Sequence, residues 1–272
     1  MGMSVCRQLG GVAALVVGLG LLAGPGSGAA ADAKSATAMY KPVIPADTLS
    51  QVITEEAKTL QAAVAKASDK KMASKARSVA LMIAVYAQDE ALRAGPDAAA
   101  MAGLRDTTLK LAKAVSDGKL DEAKKLATEI KPAGKADASA KTGPVPVQED
   151  FDIETLMQVF KPDRGGGLEW EKKLQMLRDK RAAYTAADYK TLVPLMYRIA
   201  SVAQPTEAFA PEPMGKKTPD EWIKLCKEMS SEAIATAELA SKSKPDDKMV
   251  KASVKRLEAT CTSCHDKYRD TK

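Results

Sequence analysis

The chain has 272 residues, of which 45% are hydrophobic and only 4% aromatic, and its formal net charge is +6. Ala, Leu, Lys and Glu dominate, a composition that favours helices, and no convincing stretch alternates apolar and polar residues as a half-buried strand does. The length exceeds that of one ordinary domain, so we expect two. The basic residues are scattered without interleaved aromatic residues, which argues against nucleic-acid binding.

The N-terminus has the pattern of a secretory signal peptide over residues 1–31. Arg7 supplies a positive charge, residues 10–23 are apolar, and Ala29-Ala30-Ala31 fits the small-x-small cleavage pattern. A membrane anchor is the alternative, but the apolar run is glycine-rich and shorter than the roughly 20 residues that a span needs. We therefore expect cleavage near Ala31, a periplasmic location, and no integral membrane segment in the mature chain.

The first half of the mature chain, residues 32–131, is expected to form a helical bundle. It contains neither cysteine nor histidine. Its apolar periodicity predicts four helices. They lie at 47–67, 71–92, 97–115 and 120–130.

A linker follows at 132–147, which is rich in Lys, Ala, Gly and Pro and ends in Gly-Pro-Val-Pro-Val. The second half, residues 148–272, again reads as helical, and a capping box at Thr218-Pro219-Asp220-Glu221 predicts one helix start. The helices are predicted at 152–160, 168–184, 187–204, 218–241 and from about Pro245 onward. Taking the first two as one interrupted helix gives an all-α protein of two tandem four-helix bundles.

The two halves share three short segments in the same order, which predicts an internal duplication. The alternative is chance similarity between Ala-rich amphipathic helices. The segments that correspond are 47–53 with 154–160, 83–88 with 199–204 and, faintly, 125–128 with 256–260.

Near the C-terminus the chain reads Cys261-Thr262-Ser263-Cys264-His265. This C-x-x-C-H spacing is the attachment signal of c-type haem, because two thiols three positions apart can add to the two porphyrin vinyl groups. The adjacent imidazole is then held beneath the iron. His265 is the only histidine of the chain, and the mature chain has one further cysteine, Cys226.

Two alternatives compete with haem at this motif. A redox dithiol would stand beside a βαβ pattern, which the sequence lacks. A zinc site needs four ligands and would have to include Cys226. That cysteine falls on an apolar helical stripe with Trp222 and Met229, so we expect it to be buried and inert.

The two motif cysteines continue an apolar face of one helix, which begins near Pro245-Asp246-Asp247. The residues of this face follow 4-3-4-3-4 spacing. They are Val250, Val254, Leu257, Cys261, Cys264 and Tyr268. We therefore expect the haem to hang from the inner face of a C-terminal helix.

The C-terminal pattern C-x-x-C-H-x-x-[YF]-R, matched at Cys261, Cys264, His265, Tyr268 and Arg269, resembles the class II c-type cytochromes, the cytochrome c-prime family of four-helix bundles. The resemblance implies one haem c held by two thioethers, with His265 as proximal iron ligand. It also places Arg269 near the proximal pocket, where it would act with Tyr268 on the haem. The alternative for these last two is helix-end packing and a cation at the helix C-terminus.

Members of the family differ in the first helix of the bundle. In some of them an apolar residue blocks the sixth iron site, and in others a methionine ligates the iron. Met157 lies on that helix, 261 − 157 = 104 residues before the motif, and the repeat places Ser50 opposite it. A methionine that fills the core is the alternative. The insertion at 161–167 must break the helix. We expect it either to cover a haem edge, with Arg164 or Lys161 near a propionate, or to be a plain surface loop.

By resemblance, the expected function is one-electron transfer to redox partner proteins, as a carrier or a relay subunit. Binding of NO or CO by a five-coordinate iron is the second expectation, and a docking role in a larger redox complex is the third. The first half lacks the residues to hold haem, so we expect it to be haem-free and to serve in docking or dimerisation. With no second histidine, enzymatic turnover is not expected.

Overall fold

The computed structural model describes residues 42–93, 97–131, 152–213 and 217–269. Every regular element within these ranges is helical, which confirms the predicted all-α class. None of the helices in this part of the chain combines the length and the apolar character needed to cross a membrane. The predicted signal segment at 1–31 and the linker at 132–147 lie outside the described residues.

The described residues of the first half, 42–93 and 97–131, form four helices, as predicted. They are α1 (Ala46–Val64), α2 (Lys70–Ala91), α3 (Ala98–Ser116) and α4 (Leu120–Glu129), with ends that differ from the predictions by no more than three residues. Helix α1 packs against α2 and α4, and α3 packs against α2 and α4. The side chain of Asp69 caps α2 by accepting from the amides of Lys71 and Met72.

The second half contains five described helices, α5 (Ile153–Met157), α6 (Trp170–Asp179), α7 (Ala186–Thr206), α8 (Pro219–Ala240) and α9 (Asp247–Cys264). Helix α5 runs on as a 3-10 turn, Gln158–Phe160, and α9 runs on as a π-helical segment, His265–Arg269. Helix α7 packs against α6 and α8, and α9 packs against α6 and α8.

One predicted helix of this half was too long. The helix predicted at 168–184 corresponds to α6, which ends five residues earlier, at Asp179. Thr185 and Asp188 form a capping box for α7, and this requires an extended backbone at Thr185. The amide of Tyr184 is used elsewhere, because it donates to Asp247 Oδ1 at 2.9 Å. The predicted cap at Thr218 is confirmed, since its hydroxyl accepts from the Glu221 amide.

The helices of the two halves share one continuous apolar core, in which α2 contacts α5 and α7. Arg198 of α7 lies between the halves, with Nη2 2.6 Å from Glu55 Oε2 and Nε 2.9 Å from Glu56 Oε1. Glu56 is buried, and this burial raises its pKa against the opposing effect of Arg198. The halves therefore meet across a buried ion pair as well as apolar side chains.

The insertion at 161–167 breaks the helix, as predicted. Gly166 has a positive φ of 81°, which favours glycine. A Cβ atom at Gly167 would overlap the carbonyl oxygen of Lys161, so this glycine permits a close approach of two backbone segments. The loop lies against α2, where Lys75 pairs with Asp163.

Candidate functional site

The C-x-x-C-H motif lies where α9 leaves the core. Val250, Val254 and Leu257 on the predicted inner face are fully buried. Further along the same face Cys261, Cys264, His265 and Tyr268 are half-buried, and Arg269 is exposed. The face predicted from the 4-3-4-3-4 spacing is therefore confirmed for the buried part of the helix, and its C-terminal continuation presents two thiols and an imidazole at an accessible edge.

Both motif cysteines are free thiols. Burial raises the pKa of Cys261 to about 11, and the nearby Cys264 and Glu171 of α6 add to the effect. Burial also raises the pKa of Cys264. Because a thiolate is disfavoured in both places, each residue is a neutral S–H group at neutral pH.

The π-helical segment after the motif is anchored to the start of α8. The Tyr268 hydroxyl donates to the Thr218 carbonyl oxygen at 3.0 Å, and its ring meets Trp222 edge to face with centroids 5.0 Å apart. Lys267 Nζ lies 3.4 Å from Glu221 Oε1. Helix-end packing, the alternative considered for Tyr268, is thus observed, and a role for Tyr268 or Arg269 toward haem stays a prediction.

A second anchor joins α9 to α6 through an ion pair between Arg178 and Glu258, one turn before the motif. Together with Tyr268 on the other side, it holds the motif between α6 and α8. The position of His265 along α9 is therefore fixed by contacts both before and after it in the chain.

Cys226 is buried in α8 with 4% of its surface exposed, as predicted. Burial raises the pKa of its thiol, and Cys264 and Glu207 contribute to the shift. Glu207 is 5% exposed, and its Oε2 atom is without a hydrogen-bond partner. Burial raises the pKa of Glu207 against the opposing charge of Lys227. A buried carboxyl with an unpartnered oxygen therefore lies near Cys226, and no local sequence pattern predicted it.

The candidate donors in this part of the molecule are Cys226, Cys261, Cys264 and His265. In the described ranges no group of three or more His, Cys, Asp or Glu side chains is gathered to hold a metal ion. Cys226, Cys261, Cys264 and His265 therefore do not form a preassembled zinc site of the closed structural type. Covalent haem needs something different: two accessible thiols on one helix face and one imidazole beside them. The end of α9 supplies this arrangement.

Met157 and Arg164 lie on segments other than the two helices against which α9 mainly packs, among the residues that the structure describes. Met157 packs against the apolar core on α5, whose main neighbours are α2 and α7, whereas α9 packs on α6 and α8. Arg164 is exposed on the loop that lies against α2. Lys161 of the same loop pairs with Glu154 at 3.1 Å. Iron ligation by Met157 and a propionate contact by Arg164 stay predictions.

A cleft of about 450 Å³ lies elsewhere, between α1, α6 and α7. Glu55, Glu56, Lys173 and Arg198 line it together with the buried ring of Trp170. Its lining mixes both signs of charge, and it contains none of the motif residues. We interpret it as part of the seam between the halves.

Comparisons of the chain with protein-family models, with curated proteins and with solved structures find no match.

Proposed function

We propose that the chain is an exported mono-haem c-type cytochrome of two tandem four-helix bundles that acts in one-electron transfer with a redox partner protein. The second bundle carries the haem through Cys261 and Cys264, with His265 as proximal ligand, and the first bundle is haem-free. One observation carries the proposal: two free thiols and the chain's only histidine are half-buried together where α9 leaves the core.

The residues of the site would have separate roles in holding the haem. Cys261 and Cys264 would hold the haem through two thioether bonds to its vinyl groups. His265 would bind the iron, and the buried face formed by Val254 and Leu257 continues inward from the motif. Bound haem supplies an iron centre that takes up and releases one electron.

The anchoring of α9 supports electron transfer. The contacts of Tyr268 with Thr218 and Trp222 hold the segment that carries His265. Because these contacts hold the end of the helix, we expect His265 to move little when the iron changes its oxidation state. Small changes in geometry between the two states favour rapid transfer of a single electron.

A second candidate function is binding of NO or CO by five-coordinate iron. The observation that favours it is the placement of Met157, which packs against the apolar core on a helix whose main neighbours are α2 and α7. If that thioether stays in the core, the sixth iron position is open to a diatomic ligand.

The deciding experiment is the absorption spectrum of the purified, reduced holoprotein with and without CO. A low-spin spectrum that CO does not change supports electron transfer with a filled sixth site. A high-spin spectrum that shifts with CO supports the gas-binding candidate. The Met157→Ala variant then tests the ligand in the oxidised protein, because a thioether-to-ferric-iron charge-transfer band that survives this change would contradict the assignment.

A separate measurement tests the attachment itself. Haem should remain with the denatured wild-type chain and with Cys226→Ser, and should be extracted from the double variant Cys261→Ser/Cys264→Ser. Cys226→Ser is the matched control, since it also removes one thiol. Extraction of all haem from the wild-type chain would overturn both candidate functions.

A further inference from the structure

Helices α8 and α9 pack antiparallel in a register that several contacts determine. At one end the ring of Trp222 meets the ring of Tyr268, and near the other end the hydroxyls of Thr236 and Ser253 lie 2.8 Å apart. An ion pair at 3.0 Å falls between them. It joins Glu232 to Arg256.

This register places Cys226 opposite Cys264. Cys226 lies four residues after Trp222, and Cys264 lies four residues before Tyr268. Because residues four apart share a helix face, each cysteine is one turn inward from the contacting ring pair. The effect of Cys264 on the pKa of Cys226 agrees with this proximity.

The other pairing of Cys264, with Cys261, is less suited to a disulfide. Both are within the helical span of α9 and are three residues apart. Cβ atoms at this spacing on a helix are about 5–6 Å apart, whereas a disulfide requires about 3.5–4.5 Å. A bond between these two would have to distort the end of α9, whereas the antiparallel register brings Cys226 and Cys264 to the same level of the interface between α8 and α9.

We propose that Cys226 and Cys264 form a disulfide in the haem-free chain and that this bond withholds Cys264 from haem attachment. The bond forms by thiol–disulfide exchange with a disulfide-containing oxidant. One thiol attacks that oxidant to give a mixed disulfide, and the second thiol displaces the oxidant from it. The oxidant gains two electrons and two protons as a dithiol, and the chain loses the two S–H hydrogens.

The consequence for haem rests on the proposed function. A predicted exported chain meets an oxidising environment, in which such a bond persists. A dithiol reductant must then return Cys264 to the thiol before it can form a thioether. Once the thioether has formed, Cys226 is left as a buried thiol without a partner for oxidation.

The first experiment uses the full haem-free chain in glutathione buffers, digested with trypsin without reduction. The diagnostic product joins peptide 225–227, which holds Cys226, to peptide 257–267, which holds the motif. Wild type and Cys261→Ser should give this product, and Cys264→Ser should not. The ratio of linked to free chain should change about tenfold for each 30 mV of glutathione potential. A free Cys226 in oxidised wild type, or a link to Cys261 in its place, would overturn the proposal.

The second experiment measures covalent haem incorporation into the full chain in reduced and oxidised glutathione buffer. Oxidised buffer should lower incorporation into wild type about tenfold over 30 mV, with recovery on adding a dithiol, and should lower incorporation into Cys226→Ser much less. Equal losses in both chains would overturn the withholding role. If wild type attaches no haem even when reduced, the proposed function fails, while the cross-link is still decided by the peptide assay. Should Cys226→Ser fail to fold, the other two serine variants decide the cross-link.

Discussion

The two halves of the molecule pair their helices in the same order but end differently. In the first half α1, α2, α3 and α4 each contact the next, and α4 returns to α1; in the second half α6, α7, α8 and α9 do the same. Helix α4 has 10 residues and buries Ala123 and Ala127, whereas α9 has 18 residues and buries four side chains. The longer last helix extends past the core, and its extension carries both motif cysteines. The motif of the second half thus lies on a part of the last helix that has no counterpart in α4.

The first helices differ as well. Helix α1 is continuous for 19 residues, while the corresponding part of the second half is divided into α5 and α6 by the loop at 161–167. Ser50 is exposed on α1, and its predicted counterpart Met157 packs against the core. Because the loop at 161–167 separates α5 from α6, α5 packs against α2 of the first half. One of the contacts between the halves therefore lies next to the segment in which their sequences differ.

The largest effect is expected at the seam between the halves. Replacing Arg198 by Met leaves Glu56 buried without its partner, which should cost about 3–5 kcal/mol in the free energy of unfolding. Urea denaturation followed by circular dichroism measures it. Lys75→Met is the control, because its partner Asp163 is 63% exposed and such pairs contribute about 1 kcal/mol or less. Equal losses in the two variants would show that the halves do not depend on the buried pair.

The unequal last helices give the second prediction. Leu257 is fully buried on α9, so Leu257→Ala should cost about 2–5 kcal/mol. Leu126, its counterpart in the predicted repeat, is half-exposed on α4, and Leu126→Ala should cost about 1 kcal/mol. Thermal and urea unfolding of both variants tests the difference. A larger loss at Leu126 would contradict the view that α9 carries more of the packing.

The third prediction concerns pH and a carboxyl that the first half has and the second lacks. Burial raises the pKa of Asp89 from 3.8 to about 6, although the amides of Val43 and Ile44 donate to it. The corresponding residue of the predicted repeat is Pro205. Between these pH values the folded chain keeps a proton that the unfolded chain has lost. This group's contribution to stability is therefore fully present below pH 3.8 and falls as pH rises to 6, by about 3 kcal/mol.

The measurement is the difference in unfolding free energy between wild type and Asp89→Asn from pH 4 to 7. The variant cannot titrate at this position. The unfolding free energy of wild type, measured relative to the variant, should therefore fall as pH rises. Subtracting the variant removes the opposite trend of carboxyls with lowered pKa, such as Asp188 at about 2. A difference that does not change with pH would contradict the raised pKa.

The smallest effect is expected in the loop that only the second half has. Gly167→Ala places a Cβ against the Lys161 carbonyl oxygen and should cost about 1–3 kcal/mol. Gly165→Ala is the control, because its Cβ would meet no atom within 4 Å. Stability of the two variants in urea provides the test. If both glycines tolerate alanine equally, the close approach within the loop is not needed for the fold.

Much of the fold follows from local sequence patterns. The four helices of the first half end within a few residues of their predicted positions, because apolar spacing and caps act within a turn or two of the chain. The burial of Cys226 and of the inner face of α9 follows from the same periodicity. The exception is α6, which is shorter than the helix predicted at 168–184, because Thr185 and Asp188 form a capping box that begins α7.

The sequence by itself determined the helical class, the inner face of the last helix, and the candidate ligands Cys261, Cys264 and His265, because each depends on spacing along one helix. Only the tertiary structure decided that Arg198 meets Glu55, 143 residues away, and that Cys226 stands opposite Cys264. Such contacts depend on the register between helices, which is selected by the packing of many side chains at once. No residue pattern within a single helix specifies the register between two helices.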